Sequence, residues 1–147
     1  MKRASPLAYF DTSVLVKRYV READSARAAV LIRRHAVLSS AVAPLEALSA
    51  LTRRRTAGDI RARDFTAILA RLRLDRALWT LVEIDATVRS KAEELVGRHA
   101  VRTLDAIHLA SAIVFEISAR FDVPFITADL RQRDAAHAEG LHVIWVA

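Results

Sequence analysis

The sequence predicts a single α/β domain, residues 1–147, built on a five-stranded, mainly parallel sheet with about seven helices. Two observations predict it. Short apolar runs alternate with longer stretches of helical period along the whole chain, as expected where crossover helices join parallel strands. With 147 residues, 53% of them hydrophobic, the chain is also large and apolar enough to close one core, and no linker or low-complexity tract divides it.

The elements follow in order. The apolar run at 7–10 reads as the first strand, and Asp11-Thr12-Ser13 behind it offers N-cap chemistry for a helix over 13–20. A second helix is expected over 25–35 and a second strand over 37–39. Pro44 then opens a helix over 45–57, followed by one over 62–74. A third strand over 79–84 leads to helices over 87–99 and 103–121, the latter the longest. The strand over 124–127, the helix over 130–139 and the strand over 142–146 complete the chain. The three glycines, Gly58, Gly97 and Gly140, each stand where a helix should stop, so they serve as punctuation and not as a phosphate cradle. Trp79 and Trp145 fall in or beside strands and are expected to pack into the core.

Composition narrows the chemistry. The chain has no cysteine, which excludes disulfides, thiolate zinc sites and cysteine nucleophiles, so any metal must be held by oxygen or imidazole. No apolar run approaches the roughly 20 residues that span a bilayer, and the apolar N-terminal segment is interrupted by Asp11 and then by Lys17-Arg18; a cytoplasmic, unprocessed protein is expected. A formal charge of +6 favours an anionic partner such as nucleic acid. Arginine supplies 20 of the 23 basic residues, a bias that genome composition also produces, so charge alone does not decide the matter. The longest charge run, Arg53-Arg54-Arg55, reads as a solvated helix face remote from any site.

The 17 acidic residues are sorted by topology. In a parallel sheet every strand ends on one edge, and the helices that follow begin there. Asp11 directly follows the first strand and Asp129 the fourth, Glu46 begins the helix after the second strand, and Asp105 lies in the first turn of the long helix. Singly, Asp11, Asp105 and Asp129 read as helix caps and Glu46 as a solvated residue. Jointly, four acids from four segments meet at one edge. Such a cluster repels itself unless cations neutralise it, and hard divalent ions suit it: Mg²⁺ or Mn²⁺ prefers carboxylate oxygen, keeps waters and bridges to phosphate. Two such ions can drive in-line displacement at phosphorus, so the chemistry indicated is phosphodiester hydrolysis.

The segments that carry these acids resemble the PIN-domain family, especially the VapC-like toxins of bacterial toxin–antitoxin pairs. They are Tyr-Phe-Asp-Thr-Ser-Val-Leu-Val-Lys at 9–17, Pro-Leu-Glu-Ala-Leu-Ser-Ala-Leu at 44–51, Thr-Leu-Asp-Ala-Ile-His-Leu-Ala at 103–110 and Phe-Ile-Thr-Ala-Asp at 125–129. Each is weak alone, but their order and spacing are specific, and the resemblance covers nearly the whole chain. It implies a three-layer PIN-like fold with sheet order 3-2-1-4-5, and a Mg²⁺- or Mn²⁺-dependent endoribonuclease. Asp11, Glu46, Asp105 and Asp129 would be its metal-site and catalytic acids. The resemblance further implies a VapB-like antitoxin partner and a homodimer. Thr12, Ser13 and Thr127 are candidates to orient a carboxylate or a metal-held water, with N-capping the equal alternative for Thr12 and Ser13. Lys17, Arg18, Arg131 and Arg133 begin near the active edge and are candidate RNA contacts. Asp134 reads as solvated, and His108, three residues after Asp105, as an ordinary packed or partly exposed histidine, because two metals need no protein base.

Other functions fit less well. A response-regulator receiver needs an acidic pair after its first strand and a lysine after its last, whereas this chain offers Asp11 alone and ends Ile-Trp-Val-Ala, although Asp85 is a passable phosphoacceptor. A phosphatase with a second Asp two places beyond its nucleophile is opposed by Ser13, and no glycine-rich turn supports dinucleotide binding. The remaining alternative is a non-catalytic PIN-like module that binds RNA or protein. All four acids are present, which favours hydrolysis.

Overall fold

The computed structural model describes residues 4–147, so the first three residues of the expected domain lie outside the described residues. Five strands form one parallel sheet in the order β3-β2-β1-β4-β5: β1 (Leu7–Phe10), β2 (Ala36–Ser40), β3 (Thr80–Val82), β4 (Phe125–Thr127) and β5 (Val143–Trp145). The expected fold class and strand order are both found. A receiver places its strands 2-1-3-4-5, so the order excludes that alternative; Asp85 instead caps the helix after β3, accepting from the Val88 amide at 2.9 Å.

Seven α-helices connect the strands, numbered α1 to α7 in chain order: α1 (Thr12–Leu15), α2 (Ser25–Arg34), α3 (Ala43–Thr56), α4 (Ala62–Arg76), α5 (Ala86–His99), α6 (Thr103–Ala119) and α7 (Leu130–Ala138). Most ends fall within two residues of expectation. The stretch expected as one helix over 13–20 is instead a single α turn that tightens into a 3₁₀ turn, Val16–Arg18. Gly58 and Gly140 do follow α3 and α7, with φ of 88° and 82°, the left-handed region where glycine costs least. Gly97 does not stop α5. That helix continues to His99, and Ala100 takes the left-handed position at φ 51°.

Strand alternation divides the core between the two faces of the sheet. Tyr9, Leu38 and Phe125 point to one side and are buried against α5, α6 and α7 through Val88, Leu95, Leu109 and Ala136. Ala8, Phe10, Val37 and Ile126 point to the other and pack on Val14, Leu15 and Ala28. A third cluster, Val16, Ala47, Leu51, Ile60 and Leu72, fastens α3 and α4 beside this second layer. Trp79 and Trp145 are half-buried, with Trp79 packed against the second and third clusters and the Arg133 guanidinium lying 4.9 Å from the Trp145 ring centre. Among the described residues no helix is long and apolar enough to cross a membrane.

Candidate functional site

The four acids line one open cleft of about 870 Å³ at the C-terminal edge of the sheet. Each arrives there by its own local rule. Asp11 ends the central strand and caps α1, accepting from the Ser13 amide at 3.3 Å. Asp129 follows β4 and caps α7, accepting from the Arg131 and Gln132 amides at 2.9 and 3.2 Å. Asp105 is the third residue of α6 and takes the Arg102 amide at 3.3 Å. Glu46 sits in the first turn of α3, behind Pro44. Capping and convergence are therefore not competing explanations, because in a parallel sheet the capped helix starts are themselves on the cleft edge.

Asp11 is the most tightly held of the four. It is 3% exposed, and its carboxylate accepts from the Ser13 hydroxyl, from the Thr127 hydroxyl at 3.3 Å and from the Gln132 side-chain amide at 3.0 Å. The same Gln132 nitrogen donates to Asp105 at 3.1 Å. The Thr12 hydroxyl donates to Glu46 at 2.9 Å. All three hydroxyl residues singled out in the sequence thus touch an acid of the cleft.

His108, read from sequence as an ordinary packed or partly exposed residue, is fully buried beneath the acids. Its Nε2 lies 2.5 Å from Glu46, 3.2 Å from the Thr12 hydroxyl and 3.6 Å from Asp11, while Nδ1 meets the Tyr9 hydroxyl at 2.9 Å. Burial works against a charge on this ring. The hydrogen bond that the ring donates to Glu46 and the negative charges of Asp11, Glu46 and Asp105 outweigh it and raise the imidazole pKa. Tyr9 below is pushed well above the usual phenol range, first by burial and then by the charge of Asp11.

The basic candidates separate. Arg131 is half exposed and folds back over the acids, 3.8 Å from Asp105 and 3.6 Å from Asp129. Lys17 lines the cleft but is tied to the Ala23 carbonyl at 2.8 Å and to Glu22 at 3.3 Å. Arg18 points elsewhere, paired with Asp75 at 2.7 Å, and Arg133 pairs with Asp134 while lying over Trp145. Arg53 and Arg54, expected to be remote, line the same cleft as Glu46. Seven and eight residues are two helical turns, roughly 10–12 Å along α3, and return the side chain to the same face. That periodicity was the signal available for them. For Gln132 it was Asp-x-x-Gln at 129–132, which reads as a capping box; the glutamine instead reaches across to Asp11 and Asp105, and the Asp129 amide is taken by the Thr127 hydroxyl at 3.0 Å.

The donor set suits a hard divalent cation. Among the described residues no three Asp, Glu or His side chains surround one point closely enough to hold an ion between them, so the cleft is not an all-protein cage. Mg²⁺ seldom uses one: it is bound by one or two carboxylates, with water and substrate phosphate completing the shell. Asp11 and Asp105 already lie within 3.0 and 3.1 Å of a single atom, the Gln132 amide nitrogen, and an ion at that position needs each oxygen to approach by roughly 1 Å. The residues present fit such an ion.

Comparison with known proteins agrees with the fold. Residues 8–138 match the PIN domain family. A curated relative, ribonuclease VapC45 of Mycobacterium tuberculosis, is 38% identical over 146 residues, covering 94% of each chain. Among solved structures, VapBC2 from Rickettsia felis bound to a promoter DNA fragment superposes with a TM-score of 0.65 at 10% identity, over 96% of this chain and 99% of that one. A toxin–antitoxin complex from Klebsiella pneumoniae gives 0.61 at 18% identity, over 95% and 98%.

Proposed function

This chain belongs to the PIN-domain family, and from that premise we propose that it is a Mg²⁺- or Mn²⁺-dependent endoribonuclease acting as the toxin of a toxin–antitoxin pair. The observation that carries the reading is the gathering of Asp11, Glu46, Asp105 and Asp129 from four separate elements along one cleft whose far end holds Arg53 and Arg54. The reaction is hydrolysis: water adds to phosphorus, one P–O ester bond breaks, and a phosphate monoester and a free hydroxyl result.

Asp11 and Asp105 would hold a divalent ion, which when bound would supply positive charge that lets a phosphodiester approach carboxylates and would make water easier to deprotonate. The chain supplies the positioning. Ser13 and Thr127 fix the Asp11 carboxylate, and Thr12 with His108 fixes Glu46, so the oxygens need not reorganise as charge develops. Arg53 offers charge-assisted bonds to a flanking phosphate and Arg131 one beside the acids, whereas Arg54 is held in an ion pair with Glu22. Like the proteins in the two toxin–antitoxin structures, this chain is proposed to work with an antitoxin, of VapB type, and to act in the cytoplasm as a homodimer.

The test is RNA cleavage by purified protein with Mg²⁺, Mn²⁺ or EDTA, beside Asp105→Asn. We expect metal-dependent cleavage, reduced in the variant by more than the roughly 100-fold that loss of a supporting residue costs. Expression without an antitoxin should arrest growth. RNA bound but uncut, or cut equally by the variant, overturns the nuclease reading; unimpaired growth at high soluble expression overturns the toxin role alone.

A further inference from the structure

We propose that Gln132 is itself a member of the cation site, holding Asp11 and Asp105 at a common distance with its amide nitrogen while the ion is absent and turning its side-chain oxygen to the ion when one binds. This rests on the metal-site reading above and extends it to a neutral residue.

Three observations converge on this side chain. It is 3% exposed, yet long and polar, in a position where burial costs free energy unless each end of the amide is matched. One end is: Nε2 donates to Asp11 at 3.0 Å and to Asp105 at 3.1 Å, the two most buried acids of the cleft. The other is not. Among the described residues, Gln132 Oε1 is the one buried side-chain polar atom without a hydrogen-bond partner.

A glutamine used only as a filler would be replaced at no loss by an apolar side chain of similar size. A glutamine used only as a donor would leave its oxygen on solvent or a backbone amide. The orphan is accounted for if the amide has two orientations. With nitrogen toward the acids, the carboxylates are matched and the oxygen is not. With oxygen toward them, three oxygens share one point, an arrangement that repels itself unless a cation occupies it, and which then becomes the hard oxygen set that Mg²⁺ and Mn²⁺ prefer. Rotation about the terminal side-chain bond interconverts the two, and that torsion is soft. The backbone holds the pivot in place, because the Gln132 amide is donated to the Asp129 carboxylate at 3.2 Å, so the fourth acid fixes the helix start from which the glutamine reaches.

The experiment is Mn²⁺ titration by isothermal calorimetry of wild type, Gln132→Leu and Gln132→Glu, with melting temperatures in EDTA. Gln132→Leu should weaken Mn²⁺ binding about 10-fold or more, the effect of removing an outer or neutral ligand. Gln132→Glu, which keeps an oxygen and adds charge, should bind Mn²⁺ at least as tightly as wild type and melt at a lower temperature in EDTA, because it sets a third carboxylate against Asp11 and Asp105 with no donor between them. Wild-type affinity in Gln132→Leu overturns the proposal while leaving the metal site standing. If Gln132→Leu does not fold, weaker binding by Gln132→Glu overturns it instead. Absence of Mn²⁺ uptake by wild type at millimolar concentration overturns both this proposal and the metal-site reading.

Discussion

His108 shows how a single side chain can belong to the core and to the cleft at once. Its ring is sealed from solvent, one nitrogen on Tyr9 and the other among Glu46, Thr12 and Asp11. Truncation would open a void beneath the acids and strand the Tyr9 hydroxyl. His108→Ala should therefore cost about 3 kcal/mol or more, read as a fall in melting temperature of roughly 6–12 °C for a domain of this size; a fall within 1 °C would mean that the ring carries no structural weight. The sequence made the four acids readable because each stands within a turn of a strand end or helix start. It did not make His108 or Gln132 readable in the same way. Which face of α6 meets Glu46, and whether a neutral glutamine turns inward or caps its own helix, depends on packing between elements far apart in the chain.

At the scale of elements, the ends of α5 and α7 are pinned together away from the cleft. Glu139 receives His99 at 2.6 Å and Arg98 at 2.7 Å. The hydrogen bond from His99 leads in holding the Glu139 carboxyl below its usual range, with Arg98 adding to it against a smaller opposing effect of burial. A carboxylate whose folded pKa is depressed stabilises the fold above its unfolded value, about 4.3 for Glu, and loses that contribution as pH falls through the lower folded value. The urea midpoint of wild type should accordingly exceed that of Glu139→Gln at pH 6, and the gap should close in the acid range below about 4.3. A gap independent of pH would show that the carboxylate's charge is not what joins the helices. The same region shows where glycine counting misleads: Gly97 lies inside α5, and Ala100 adopts the left-handed turn. Glycine marks a helix end only where packing lets the helix finish, and α5 is carried past Gly97 by its buried face at Ala92 and Leu95.

For the whole molecule, the formal charge of +6 matters less than its placement. Glu46 and Arg53 lie about two turns apart on α3 and both line the cleft, so on the proposed function a strand of RNA laid along it would meet the Arg53 guanidinium while one linkage reaches the carboxylates. Each phosphate contact removed should lower the slope of log affinity against log salt by about 0.7 for single-stranded RNA. Arg53→Ala should show that change with RNA in Ca²⁺ or EDTA, together with weaker binding at every salt concentration; an unchanged slope would place the RNA path elsewhere. The fold class and the edge on which the four acids gather were legible in sequence because they follow from hydrophobic period and parallel topology, and the strand order because the acid-bearing segments resemble the PIN-domain family. The place of Arg53 in the cleft was not, because distance along the chain was taken for distance from the site, and a helix returns every seventh residue to the same face.

The central position of β1 also bears on how this protein would exchange its hydrogens with deuterated water. β1 pairs with β2 on one side and β4 on the other, and the Asp11 amide itself is donated to the Ile126 carbonyl at 3.0 Å. Freeing that amide requires the sheet to part at its middle strand, an opening that approaches global unfolding. The ends of α4 or the turn after α6 are expected to trade hydrogen for deuterium in small local motions, whereas the backbone of the residue that anchors the acidic cleft is expected to be among the last to do so.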